Sequence, residues 1–100
     1  MTQPEDLLSI ETTDDGLRAA GEIDAHTAPT LAAALDAAGP TVRLDMSSVE
    51  FVDSSGLRVL IDAHQRLQEA GGSMTIVAPS EAVHRLLQIS GVDDYLAVEA

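Results

Sequence analysis

The sequence predicts a small α/β domain: an N-terminal β-hairpin, then β-α units forming a mixed four- to five-stranded sheet packed against helices. Three observations lead there. Two short alternating segments flank an Asp-Gly pair near the start. After them, apolar residues at helical spacing alternate with short β-branched runs. A chain of 100 residues, 45% hydrophobic and 22% charged, is enough for one buried core without metals or disulfides.

Taken in order, residues 1–6 form a polar, acidic stretch that reads as a disordered tail, with the domain over 7–100. Leu8, Ile10 and Thr12 alternate with Ser9 and Glu11, giving a strand over 7–12. Thr13-Asp14-Asp15-Gly16 turns the chain, because glycine tolerates positive φ. Leu17, Ala19, Gly21 and Ile23 then alternate as the second arm of the hairpin. Thr27 is placed to cap a helix with Pro29 in its first turn, and Leu31, Ala34, Leu35 and Ala38 share one face. Gly39-Pro40 ends it. Thr41 to Asp45 reads as a strand, and Met46 to Phe51 as a compact turn leading to Val52-Asp53.

The strongest helix starts at Ser54 or Ser55, with Leu57, Leu60, Ile61, His64 and Leu67 on one face. Gly71-Gly72 ends it. Met74 to Ala78 is a nearly continuous apolar run, as in a strand covered on both faces. Ser80 caps a last helix whose inner face carries Val83, Leu86, Leu87 and Ser90, and Gly91 closes it. Tyr95 to Val98 reads as a terminal edge strand.

The composition excludes several function classes. The formal charge is −12, and all five basic residues are dispersed arginines: Arg18, Arg43, Arg58, Arg66 and Arg85. Nucleic acid is therefore not an expected partner. Anionic membrane surfaces are disfavoured for the same reason. No apolar run approaches the ~20 residues of a membrane helix. The acidic start lacks the basic and apolar stretches of a secretory signal, so a cytoplasmic protein is expected. With only Phe51 and Tyr95 aromatic, no stacking platform for bases is present. Cysteine is absent, and no His/Asp/Glu group has zinc spacing. Without lysine there is no phosphate loop of the Gly-Lys kind. No cofactor and no metal is expected.

In mixed sheets, sites form at the carboxyl ends of the strands. Two loops qualify: Gly21 to Thr27, and Val52 to Gly56. Ser54 and Ser55 stand where a helix begins, among amides that lack internal partners. Two roles are open to such a serine, helix cap and phosphate acceptor, and they divide naturally with Ser55 capping and Ser54 modified. A catalytic nucleophile is not expected. Neither serine has glycines two residues away on both sides, as the nucleophile elbow requires. His64 lies on an apolar helix face, and nothing places His26 or His84 near either serine. Asp24 and Asp53 share the rim as either an acid/base or Mg²⁺ pair, or as loop caps, and capping is the commoner role of aspartate.

Gly21-Glu22-Ile23-Asp24, then Thr27, then Asp53-Ser54-Ser55-Gly56-Leu57, resemble the signature segments of the STAS domain, most closely those of bacterial anti-sigma-factor antagonists. The resemblance runs from about residue 7 to residue 98 and includes the Gly91-Val92 pair. It implies a binding protein, not an enzyme. In that family the unphosphorylated antagonist binds an anti-sigma factor that is also a serine/threonine kinase, which frees the sigma factor for transcription. The kinase modifies the first serine of the Asp-Ser-Ser-Gly run, here Ser54, and a metal-dependent serine phosphatase reverses this. The surface expected to meet the partner comprises Asp24, Thr27, Asp53, Ser54, Ser55, Gly56 and Arg58. Other STAS domains serve as non-switching scaffold subunits in stress-signalling or lipid-transport complexes, which is the alternative reading.

Overall fold

The computed structural model describes residues 7–100, so the tail expected over 1–6 lies outside the described residues. The elements are β1 (Leu8–Thr13), β2 (Gly16–Ile23), α1 (Ala28–Ala37), β3 (Thr41–Val52), α2 (Ser54–Glu69), β4 (Ser73–Val77), α3 (Glu81–Ser90) and β5 (Ala97–Glu99). The strands form one five-stranded sheet in the order β1-β2-β3-β4-β5. β1 runs antiparallel to β2, and the other neighbours are parallel. The mixed sheet and the order of elements are those the sequence predicts.

One face of the sheet carries the core. Leu17, Ala19 and Ile23 of β2, Val42, Leu44 and Met46 of β3, and Met74 and Ile76 of β4 are buried there. Against them pack Leu31 and Leu35 of α1, Leu60 and Leu67 of α2, and Val83 and Leu87 of α3. Each of these valines, leucines, isoleucines and methionines contributes about 1.5–3 kcal/mol of burial. The alternate residues of the strands face the other way. There, cross-strand ion pairs join Arg18 to Asp45 at 3.5 Å and Arg43 to Glu99 at 2.6 Å. The second pair ties the short β5 back to β3.

Several details depart from the sequence reading. First, Met46 to Phe51 is no turn, because β3 continues as one strand of 12 residues. Its pairing with β2 shifts twice, between Arg18 and Ala20 and between Gly21 and Glu22. Each shift adds a residue on β3, as a β-bulge does. The buried residues therefore fall three apart, at Met46, Val49 and Val52. Asp45 braces the first bulge by accepting from the Ser47 amide at 2.8 Å and its hydroxyl at 2.7 Å.

Second, β4 is not covered on both faces: Met74 and Ile76 are buried while Thr75 and Val77 are half-buried. Third, the hairpin turn is Asp14-Asp15, and Gly16 already pairs with Thr13. Gly16 is needed for space, since a Cβ there would lie 1.9 Å from the Arg43 carbonyl oxygen. On α3, Ser80 caps as predicted and Gly91 closes the helix in the left-handed conformation. Of the four residues expected on its inner face, Val83 and Leu87 are buried, Leu86 is half-buried and Ser90 is exposed. The terminal edge strand exists but spans Ala97–Glu99, not Tyr95 to Val98.

Candidate functional site

β2 and β3 are parallel neighbours, and Ile23 pairs with Val52 at their carboxyl ends. The Asp53 amide then donates to the Ile23 carbonyl at 3.1 Å. The loops after the two strands therefore emerge side by side, and the rim predicted from the sequence is a single place.

Asp53 is the residue on which α2 is built. Its backbone is extended, and its carboxylate accepts from the Ser55 amide at 2.8 Å and the Gly56 amide at 3.4 Å. Its carbonyl accepts from the Leu57 amide at 3.1 Å. The helix cap is thus Asp53, two residues before the Ser55 expected from the sequence. Aspartate suits the place at least as well as serine, and its charge also suits the positive helix end. Ser54 becomes the first helical residue and is exposed, whereas Ser55 is half-buried.

Gly56 is buried because the first turn of α2 presses on both strands. A Cβ at this position would lie 2.7 Å from a methyl of Ile23 and 2.7 Å from a methyl of Val52. The glycine lets the helix start close enough to the sheet to present Ser54 at the rim.

In the other loop, Asp24 accepts from the His26 amide at 2.9 Å and the Thr27 amide at 3.0 Å. The Thr27 hydroxyl donates to the Glu22 carbonyl at 2.9 Å and accepts from the Asp24 amide at 2.9 Å. Thr27 is only 2% exposed, so it is not a surface contact as expected but a latch inside the loop. Nor does its side chain cap α1, because its own backbone is already helical. The Thr27 and His26 amides hold the Asp24 carboxyl below the usual aspartate range, with the Thr27 hydroxyl and His26 charge adding to the effect against some desolvation. Of the two roles open to Asp24 and Asp53, both carboxylates are used as caps.

Beside Ser54 runs a shallow groove of about 300 Å³, lined by Ser54, Leu57, Arg58, Ile61 and Asp62. Leu57 and Ile61 were expected in the helix's buried face, but they are half-buried and border this groove, while Ala63 joins Leu60, His64 and Leu67 inside. Phe51, at the end of β3, is 49% exposed. Arg58 is exposed and paired with Asp62 at 3.7 Å. His64 is buried edge-on against Tyr95, with ring centres 4.9 Å apart, as its helix face suggested. A larger cavity of about 680 Å³ lies at the opposite end of the strands, between the hairpin turn and the end of α1. Among the described residues no helix is long and apolar enough to cross a membrane. The rim is therefore a surface with an accessible hydroxyl, anchored acids and an adjoining apolar groove, which suits recognition by another protein.

The family model of the STAS domain matches residues 8–100, and the chain belongs to that family. Its relatives are anti-sigma-factor antagonists. The anti-sigma-B factor antagonist of Listeria monocytogenes is 33% identical over 84 residues, covering 80% of this chain and 74% of its own. The solved anti-sigma factor antagonist from Mycobacterium paratuberculosis is 28% identical, with a TM-score of 0.77 over 99% of this chain and 90% of that one. The phosphorylated form of the Bacillus cell fate determinant SpoIIAA shares the fold, with a TM-score of 0.66 at 21% identity over 93% of this chain and 91% of that one.

Proposed function

We propose that this chain is an anti-sigma-factor antagonist working by partner switching. Unphosphorylated, it binds an anti-sigma serine/threonine kinase in the cytoplasm and frees the sigma factor. Phosphorylation of Ser54 ends that binding, and a serine phosphatase restores it. The chain itself performs no catalysis.

One observation carries the reading: Ser54 is exposed at the rim while Asp53, not a serine, caps the helix. Its hydroxyl can take a phosphate without the loss of a structural hydrogen bond. The apolar groove begins at the same residue, so the modification falls where a partner would rest. A phosphate brings about −1.5 to −2 charges at neutral pH. A partner surface that fits a neutral hydroxyl and an apolar groove then faces a bulky, strongly hydrated anion, which is costly to desolvate. The names of the Listeria and mycobacterial relatives, and the existence of a phosphorylated form in the same fold, support this assignment.

The test is incubation with the cognate anti-sigma factor and ATP, followed by peptide mass spectrometry. One phosphate on Ser54 is expected. A phosphate found only on another residue, or none, contradicts the switch and leaves the scaffold role.

A further inference from the structure

We infer that Arg58 is the receiver of the phosphate: on phosphorylation of Ser54 its guanidinium leaves Asp62 and pairs with phosphoserine 54 across the first turn of α2. This rests on the Ser54 reading above and concerns how the switch works.

The first turn itself has little to offer a phosphate. The Ser55 amide is engaged by the Asp53 carboxylate at 2.8 Å, the same carboxylate stands 3.4 Å from the Gly56 amide, and the Leu57 amide donates to the Asp53 carbonyl. The bare helix end that would ordinarily attract an anion is already occupied by one. A phosphate on Ser54 must therefore find a cation among side chains.

The arginines narrow the choice. Arg18 and Arg43 are paired on the far face of the sheet, Arg66 is bound to Asp36 at 2.7 Å, and Arg85 pairs with Glu81 on α3 at 3.0 Å. Arg58 lines the same groove as Ser54 and follows it by four residues, the spacing at which helix side chains meet.

The competition between the two acids can be decided. The present partner, Asp62, is held at 3.7 Å, with the two side chains 82% and 65% exposed. It also lies on the C-terminal side of the arginine. On a helix the acid is better placed N-terminal to the base, as Ser54 is to Arg58. The phosphate carries about twice the charge of a carboxylate and offers three acceptor oxygens to the guanidinium fork. Spacing, order and charge all favour the exchange. Its result is that both ends of the groove change together: Ser54 gains a charge, and Asp62 loses its counter-ion.

The experiment uses the full chain with phosphoserine placed at position 54 during synthesis, so no kinase is needed. The second ionisation of the phosphate is followed by ³¹P NMR, and the Arg58 side-chain Nε–H by ¹⁵N NMR. Pairing should hold the phosphate's second pKa roughly 0.2–0.4 below its value in Arg58→Gln, the size expected of an exposed helix pair. Arg58→Lys should keep part of that lowering. Arg85→Gln, the same loss of charge on α3, should leave the phosphate unmoved. The Arg58 Nε–H resonance should shift on phosphorylation, and the effect of Arg58→Gln should grow in an Asp62→Asn background. A phosphate that titrates alike in wild type and Arg58→Gln overturns the inference. Failure of the kinase to modify Ser54 contradicts the switch instead and leaves this charge measurement intact.

Discussion

Replacing Asp53 by alanine tests where α2 is capped. The Asp53 carboxylate makes one short bond, 2.8 Å to the Ser55 amide, and one at 3.4 Å to the Gly56 amide. The second lies beyond the usual range and contributes little. Loss of an N-cap acid costs about 0.5–2 kcal/mol. The short, charged, partly buried bond places this site in the upper half, at about 1.5 kcal/mol. A domain of this size loses roughly 4–8 °C of Tm per kcal/mol, so Asp53→Ala should melt roughly 6–12 °C lower. Asp53→Asn keeps an acceptor and should lose less than about half of that. Ser54→Ala and Ser55→Ala should stay within about 0.5 kcal/mol of wild type. Thermal unfolding followed by far-UV circular dichroism measures all four. If Ser55→Ala melts as low as Asp53→Ala, the capping argument is wrong, and with it the reason that Ser54 is at liberty to be modified.

Gly56→Ala should destabilise by about 1–3 kcal/mol, despite alanine's better helix propensity, because its Cβ meets Ile23 and Val52 at 2.7 Å. An equal or higher Tm would show that the helix start can move. Thr27→Val keeps the shape but removes the hydroxyl bonded to the Glu22 carbonyl and the Asp24 amide, so urea unfolding should show a loss of about 1–3 kcal/mol. A loss below about 0.5 kcal/mol would deny the latch.

Asp24 and Asp45 are both held below the ordinary aspartate value of 3.8, Asp24 first by the Thr27 amide and Asp45 first by the Ser47 hydroxyl. The unfolded chain then binds the protons more readily. Their stabilisation is complete above pH 3.8 and is lost as pH falls through the lower folded values. Urea midpoints should fall across that acid range, with a shallower slope in Asp24→Asn. An unchanged slope would remove Asp24 from the account.

The order of elements was legible because each announces itself locally: alternation in Leu8 to Ile23, helical spacing in α1 and α2, and the Ser80 and Gly91 caps. β3 was not, because its bulges replace the period of two by a period of three, so Met46, Val49 and Val52 read as a turn. The far face of β4 was misread because an apolar run does not say which neighbours cover it. At the site, the sequence located both loops but not the hydrogen bond between Asp53 and Ile23 that joins them. Aspartate and serine are near-equal caps, so placing the cap at Ser55 instead of Asp53 needed only a shift of two residues. The signal was available: an acid standing directly before two serines and a glycine. Nothing in the sequence shows that the Thr27 hydroxyl turns inward to bind a carbonyl five residues back, so Thr27 reads as a surface residue. The groove beside Ser54 is not legible either, since Leu57 and Ile61 fit the pattern of a buried face.

The most direct test of partner switching is the affinity of the cognate anti-sigma factor for this chain with Ser54 unmodified and with phosphoserine at the same position, measured by calorimetry. The account predicts tight binding of the unmodified form and a loss of about tenfold or more on phosphorylation, equivalent to at least about 1.4 kcal/mol. Equal affinities for the two forms would contradict it.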